Sequence, residues 1–134
     1  MLLDTDAYSH LFIRPNSTDP RVPGWREALT GRRVLIAFQT RAELLTGALQ
    51  ANWGDRQTRI LRGTLEATPT VPSDDEVIEA YAELTAVCRQ TGHALQQKIN
   101  TGNRWVASCA IAKDLPLLAG DAIYLNAPNL SLFR

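Results

Sequence analysis

Residues Val34, Leu35, Ile36, Ala37 and Phe38 follow one another with no polar residue between them. A strand with one face in water would alternate; an unbroken apolar run suits a strand covered on both faces, as in a parallel sheet with helices above and below. Residues 1–3 and 115–118 read the same way, 68–71 is β-prone, and 130–133 supplies a candidate last strand. Between these runs the apolar spacing changes to three and four. Helices are expected over residues 5–13, 25–29, 40–49 and 55–67. Ser73 and Glu76 have the spacing of a capping box, opening a helix that runs to about Gln90 and stops at Gly92. A further helix is expected over 104–113, with Asn103 as its N-cap. Strands alternating with helices predict an α/β domain over residues 1–134, with a central, mostly parallel sheet flanked by helices.

In an open sheet of this kind, ligands bind beyond the carboxyl ends of the strands. Asp4 follows the first apolar run directly, and Asp121 follows the run 115–118 closely. Glu43 stands one turn into the helix that leaves the run 34–38. Each has a plain structural alternative: Asp4 as a helix cap, Asp121 as a turn residue after Gly120, Glu43 as a solvated helix residue. Together they place three carboxylates at one sheet edge. Two charges ~5 Å apart repel by about 3 kcal/mol at an effective dielectric of ~20. A hard cation removes that repulsion, and carboxylate ligands suit magnesium or manganese. Phosphodiester hydrolysis is the reaction such a cluster serves best.

The charge balance narrows how nucleic acid would be met. Lys and Arg number 14, Asp and Glu also 14, so no general field draws in a polyanion. Binding would rest on local arginines, and Arg41 and Arg104, neighbours of the acids in sequence, are the candidates for RNA phosphates. Cys88 and Cys109 lie in apolar helical stretches without zinc-like spacing and read as core residues. His10 and His93 have no nucleophile pattern around them. With no signal-like start and no long apolar run, a cytoplasmic protein without a membrane partner is expected.

Four blocks resemble one family. Leu2-Leu3-Asp4-Thr5-Asp6 resembles the opening of PIN domains, where an apolar strand ends on an Asp. Arg41-Ala42-Glu43-Leu44-Leu45-Thr46-Gly47 is similar to their second block, an acid followed by leucines and a glycine. The stretch from Asn103 through Trp105 to Ala112 resembles the third, and Leu115 to Asp121 the fourth, where a strand again ends on Asp. Order, spacing and length agree over nearly the whole chain, and the nearest group is the VapC-like toxins of type II toxin–antitoxin systems.

The resemblance implies a metal-dependent endoribonuclease, active with Mg2+ or Mn2+, homodimeric, and held inactive by a cognate antitoxin. It implies Asp4, Glu43, Asn103 and Asp121 as the catalytic set, with metal on Asp4, Asn103 and Asp121. Thr5, Thr40 and Asp6 would support them from behind. Leu49, Trp53, Ile60 and Leu61 would line a groove for an apolar antitoxin helix, or else close the protein's own core. Asn103 departs from the pattern, which has Asp there. It implies weaker metal binding and attenuated cleavage. A natural low-activity sequence, an inactivating change in a toxic protein, and another acid taking over (Asp6 or Asp114) all stand open. The alternative function is a weak or inactive PIN-fold module that binds RNA, an antitoxin or both. A phosphatase-like or response-regulator-like domain would want a Lys after the last acidic strand, and none follows Leu118.

Overall fold

Leu2 and Leu3 form β1 (Leu2–Leu3), the middle strand of a five-stranded sheet in which every pairing is parallel. The computed structural model describes residues 1–133. On one side of β1 lie β2 (Leu35–Ala37) and then β3 (Thr70–Val71); on the other lie β4 (Leu117–Leu118) and then β5 (Leu132–Phe133). Leu2 pairs with Leu35 and Leu117, and Leu3 with Ile36 and Leu118. The chain therefore builds outward from β1 through β2 to β3, then returns to start the other half at β4. The crevice between β1 and β4 is the point where strand order reverses, the place open α/β sheets use for ligands.

Successive strand residues face opposite layers, so each half of the core is built from alternate positions. Leu2, Ala37 and Leu117 pack with Val77, Leu84 and Cys88 of α5 (Asp75–Thr91) and with Val106 of α6 (Thr101–Ala112). Leu3, Ile36 and Leu118 pack against Ala7 and Tyr8 of α1 (Thr5–Tyr8) and Trp25 of α2 (Val22–Leu29). Ala48 of α3 (Phe38–Gln50) and Leu61 and Leu65 of α4 (Asp55–Glu66) complete that layer. Burial on both faces is what the unbroken apolar runs implied, and each fully buried Leu contributes about 1.5–3 kcal/mol.

The expected elements form, with local differences. The first helix is α only to Tyr8; Ser9–Ile13 continues as a wider π-type turn. The cap of α5 is Asp74, whose carboxylate accepts from the Val77 N–H at 3.0 Å, so the capping box at Ser73 does not form. Asp74 is better placed because it also takes Lys113 Nζ at 2.6 Å. α6 begins at Thr101, making Asn103 a residue of its first turn rather than its cap. The preceding short helical turns of Ala94–Gln96 and Lys98–Asn100 lead straight into it and remove the need for a cap at 103. Both cysteines are free and buried, and burial pushes the Cys109 thiol up to about 12. Among the described residues, no helix is long and apolar enough to cross a membrane.

Candidate functional site

The end of β1 delivers Asp4 into the interior with 2% of its surface exposed. Its backbone N–H still donates to Leu118 O at 3.0 Å, so the residue belongs to the sheet ladder even as it caps α1. One carboxylate oxygen, Oδ1, accepts from the Ala7 N–H at 2.8 Å. The other, Oδ2, accepts from the Gly120 and Asp121 N–H groups at 3.0 and 3.1 Å. The cap reading and the site reading of Asp4 are thus both true, because its two oxygens do different things. Burial raises the Asp4 pKa above its ordinary value, although the three N–H donors oppose this.

Glu43 projects from the second turn of α3. Gln39 Nε2, one turn earlier, donates to Glu43 Oε1 at 3.0 Å. The carboxylate lies over Gly102 at the start of α6: a Cβ there would come within 2.7 Å of Glu43 Oε1 and 2.9 Å of Gln39 Nε2. Next to that glycine, Asn103 Oδ1 accepts from the Tyr124 hydroxyl at 3.1 Å. Tyr124 is buried in the short helical turn Ala122–Tyr124, which Asp121 caps through its Oδ1 and the Ile123 N–H at 2.9 Å. The Tyr124 pKa is pushed well above its ordinary value, first by burial and then by the negative charges of Asp4, Asp121 and Glu43. The contacts join the segments pairwise: the Asp121 N–H on Asp4 Oδ2, Glu43 over Gly102 beside Asn103, and Tyr124 linking Asn103 to the turn that Asp121 caps.

Among the described residues, no three Asp, Glu, His or Cys side chains stand close enough together to grip an ion. No Lys or Arg side chain among the described residues is bonded to Asp4, Glu43, Asn103 or Asp121; the donors there are peptide N–H groups, the Gln39 side-chain amide and the Tyr124 hydroxyl. Of the candidate replacements for an acid at 103, Asp6 lies against Gly120 on the Asp4 side and is paired with Arg21, and Asp114 follows the far end of α6, roughly 16 Å of helix away.

Several expected roles are corrected. The Thr5 and Thr40 hydroxyls bond to each other at 2.9 Å rather than to a carboxylate. Arg41 turns away from the acids: its Nη2 donates to Leu65 O at 2.8 Å and to Thr70 Oγ1 at 2.9 Å. Arg104 is buried, with Nη1 donating to Leu95 O and Nη2 to Tyr81 Oη, both at 2.6 Å. It braces the turn before α6, and nothing of it is presented to a phosphate. Leu61 is core, at 2% exposure, whereas Leu49, Trp53 and Ile60 are exposed. Trp53 and Ile60 line an apolar cleft of about 170 Å³ with Phe12, Ile13 and Pro15. Sequence reasoning passed over Gln39, Gly102 and Tyr124. The Gln39–Glu43 spacing of four was visible as a helical pair; the other two depend on chain crossings.

No family model and no curated relative matches the chain. Solved structures do. VapBC2 from Rickettsia felis, bound to a DNA fragment from its promoter, is 21% identical over 98% of this chain and 96% of that chain, with a TM-score of 0.76. This chain has the fold of the VapC-like PIN domains. FitAcB from Neisseria gonorrhoeae agrees: 24% identity, coverage of 99% and 96%, TM-score 0.75. VapBC-5 from Mycobacterium tuberculosis, a member of the VapBC family of toxin–antitoxin systems, is 21% identical over 99% and 96%, with a TM-score of 0.64. The PIN-like α/β architecture expected from the four sequence blocks is the one observed.

Proposed function

We propose that this chain is a metal-dependent endoribonuclease toxin of a toxin–antitoxin pair, attenuated because Asn103 stands where the PIN-domain pattern that the sequence resembles has an acid. The observation that carries the reading is the placement of Asp4 at the strand-order reversal, with its Oδ2 tied to the Gly120 and Asp121 N–H groups, beside the hydrogen bond from Tyr124 of the same loop to Asn103. The donor set is all oxygen and carries three negative charges without a side-chain cation, which fits Mg2+ or Mn2+ and not a softer metal. Such an ion, when bound, would activate a water and neutralise charge on the phosphodiester oxygens. The chain's own part is placement. Asp4 is held by three N–H groups, Glu43 by Gln39, and Asn103 by Tyr124. An amide at 103 leaves the set one charge short of a typical hard-cation site.

RNA is the proposed substrate and a cognate antitoxin the proposed partner, because the fold relatives include toxin–antitoxin complexes. The cleft with Trp53, Ile60 and Phe12 is the proposed antitoxin contact, and a homodimer the proposed assembly. A second reading has its own support: among the described residues no three acids stand close enough to hold an ion, which favours a fold that holds RNA or antitoxin without cutting.

The deciding experiment compares this chain with Asn103→Asp in manganese, with a chelator control. Under the nuclease reading, the Asp form cuts RNA about tenfold faster or more. Its metal-free form is also destabilised by about 1–3 kcal/mol through like-charge repulsion, and manganese recovers the loss. Two forms that are equally silent on RNA and respond equally to manganese would favour the binding module.

A further inference from the structure

Asp4 is held on one oxygen by the N–H groups of Gly120 and Asp121, so whatever holds that loop holds the acid. The loop has its own anchor. Arg21, at the threshold of α2, donates from Nη1 to Gly120 O at 2.6 Å. The carbonyl of Gly120 and the N–H of Asp121 belong to one peptide group. A continuous chain of hydrogen bonds therefore runs from the Arg21 guanidinium through that peptide to Asp4 Oδ2. A cation on the carbonyl side polarises the peptide and strengthens the N–H on the other side.

The guanidinium is not free to wander. Asp19 Oδ1 accepts from Arg21 Nε at 2.9 Å and Asp19 Oδ2 from Nη2 at 2.8 Å, a forked pairing that fixes the plane. Arg21 Nη2 also donates to Asp6 Oδ2 at 3.2 Å. The Asp6 carboxylate in turn packs so tightly on Gly120 that a Cβ there would collide with it. The Trp25 ring lies under the guanidinium, 4.7 Å from its centroid. A simple surface ion pair needs none of this.

We infer that Arg21 is a positioning residue for the acid site, acting on Asp4 through the Gly120–Asp121 peptide, with Asp19 and Asp6 as its guides. The inference rests on the proposed function only in making Asp4 part of a working site; its test needs neither RNA nor metal. The experiment is amide hydrogen exchange with 15N shifts on the full chain and on Arg21→Ala, Arg21→Lys and, as a control on the same helix, Arg26→Ala. In Arg21→Ala, the Gly120 and Asp121 amides should exchange about tenfold faster or more, as for loss of one hydrogen bond to a charged group. The Asp121 15N signal should move, and Val77 and Leu84 should keep their protection. Arg21→Lys should restore part of the effect, since an ammonium reaches one carbonyl but cannot take Asp19 in a fork. Arg26→Ala should match wild type. If Arg21→Ala proves unfolded, Asp19→Asn, which loosens the fork, must show the same local change. Unchanged Gly120 and Asp121 amides in a folded Arg21→Ala or Asp19→Asn protein would overturn the inference and leave the nuclease proposal standing. Loosened amides with no cleavage by the wild-type or Asn103→Asp protein would do the reverse.

Discussion

Replacing Gly102 with alanine should separate the stability of this fold from the placement of Glu43. Gly102 sits in the first turn of α6 with an ordinary negative φ, so its backbone accepts a side chain. In a helix, alanine is favoured over glycine by up to about 1 kcal/mol. Against that gain stands the new Cβ, 2.7 Å from Glu43 Oε1 and 2.9 Å from Gln39 Nε2. Both atoms are at the ends of flexible side chains, so the collision is relieved by rotating them away, at about 0.5–1.5 kcal/mol for off-rotamer torsions. The two terms nearly cancel. Gly102→Ala should therefore melt within a few degrees of wild type while Glu43 is turned from its place over the start of α6. Manganese affinity and RNA cleavage, measured in the Asn103→Asp background that restores the proposed acid set, should fall about tenfold or more. Unchanged affinity and cleavage would refute the role given to Glu43. A stability loss well beyond about 2 kcal/mol would refute the claim that the clash relaxes through side chains.

Two further outcomes follow from burial. Arg104→Met keeps the apolar stem but removes the donors to Leu95 O and Tyr81 Oη, and should cost about 2–3 kcal/mol in urea unfolding. RNA affinity of the folded fraction and its salt dependence should not change; a reduced salt slope would return Arg104 to the phosphate-binding role. Asp4 has its folded pKa raised, so its stabilising contribution is full below the unfolded value and is lost as pH rises through the folded one. In metal-free protein, wild type should therefore gain on Asp4→Asn as pH falls from neutral to about 4. Asp19 and Asp74, whose pKa values are lowered by Arg21 and Lys113, titrate in both proteins and drop out of the difference. A gap that moved the other way in paired denaturation curves would mean that the three N–H donors outweigh burial.

The strands and the acids that end them were legible in the order of residues, because both are local signals. An apolar run such as 34–38 reports burial on both faces, and an acid next to it reports the strand end. On that basis Asp4 is expected at the end of β1 and Asp121 shortly after β4, where the structure has them. Helix boundaries were less legible: the Asn103 and Ser73 caps gave way to neighbours that the fold served better. The fates of the arginines were not legible at all. Arg41, Arg104 and Arg21 look alike in a sequence, each a cation near an acid or a helix. Which faces a carbonyl, which lies buried over Tyr81, and which reaches across 99 residues to Gly120 depends on segments that meet only after the sheet has closed. Gly102 and Tyr124 joined the candidate site for the same reason. Apolar patterning is written residue by residue, whereas a long polar side chain chooses among whatever partners packing brings within about 3 Å.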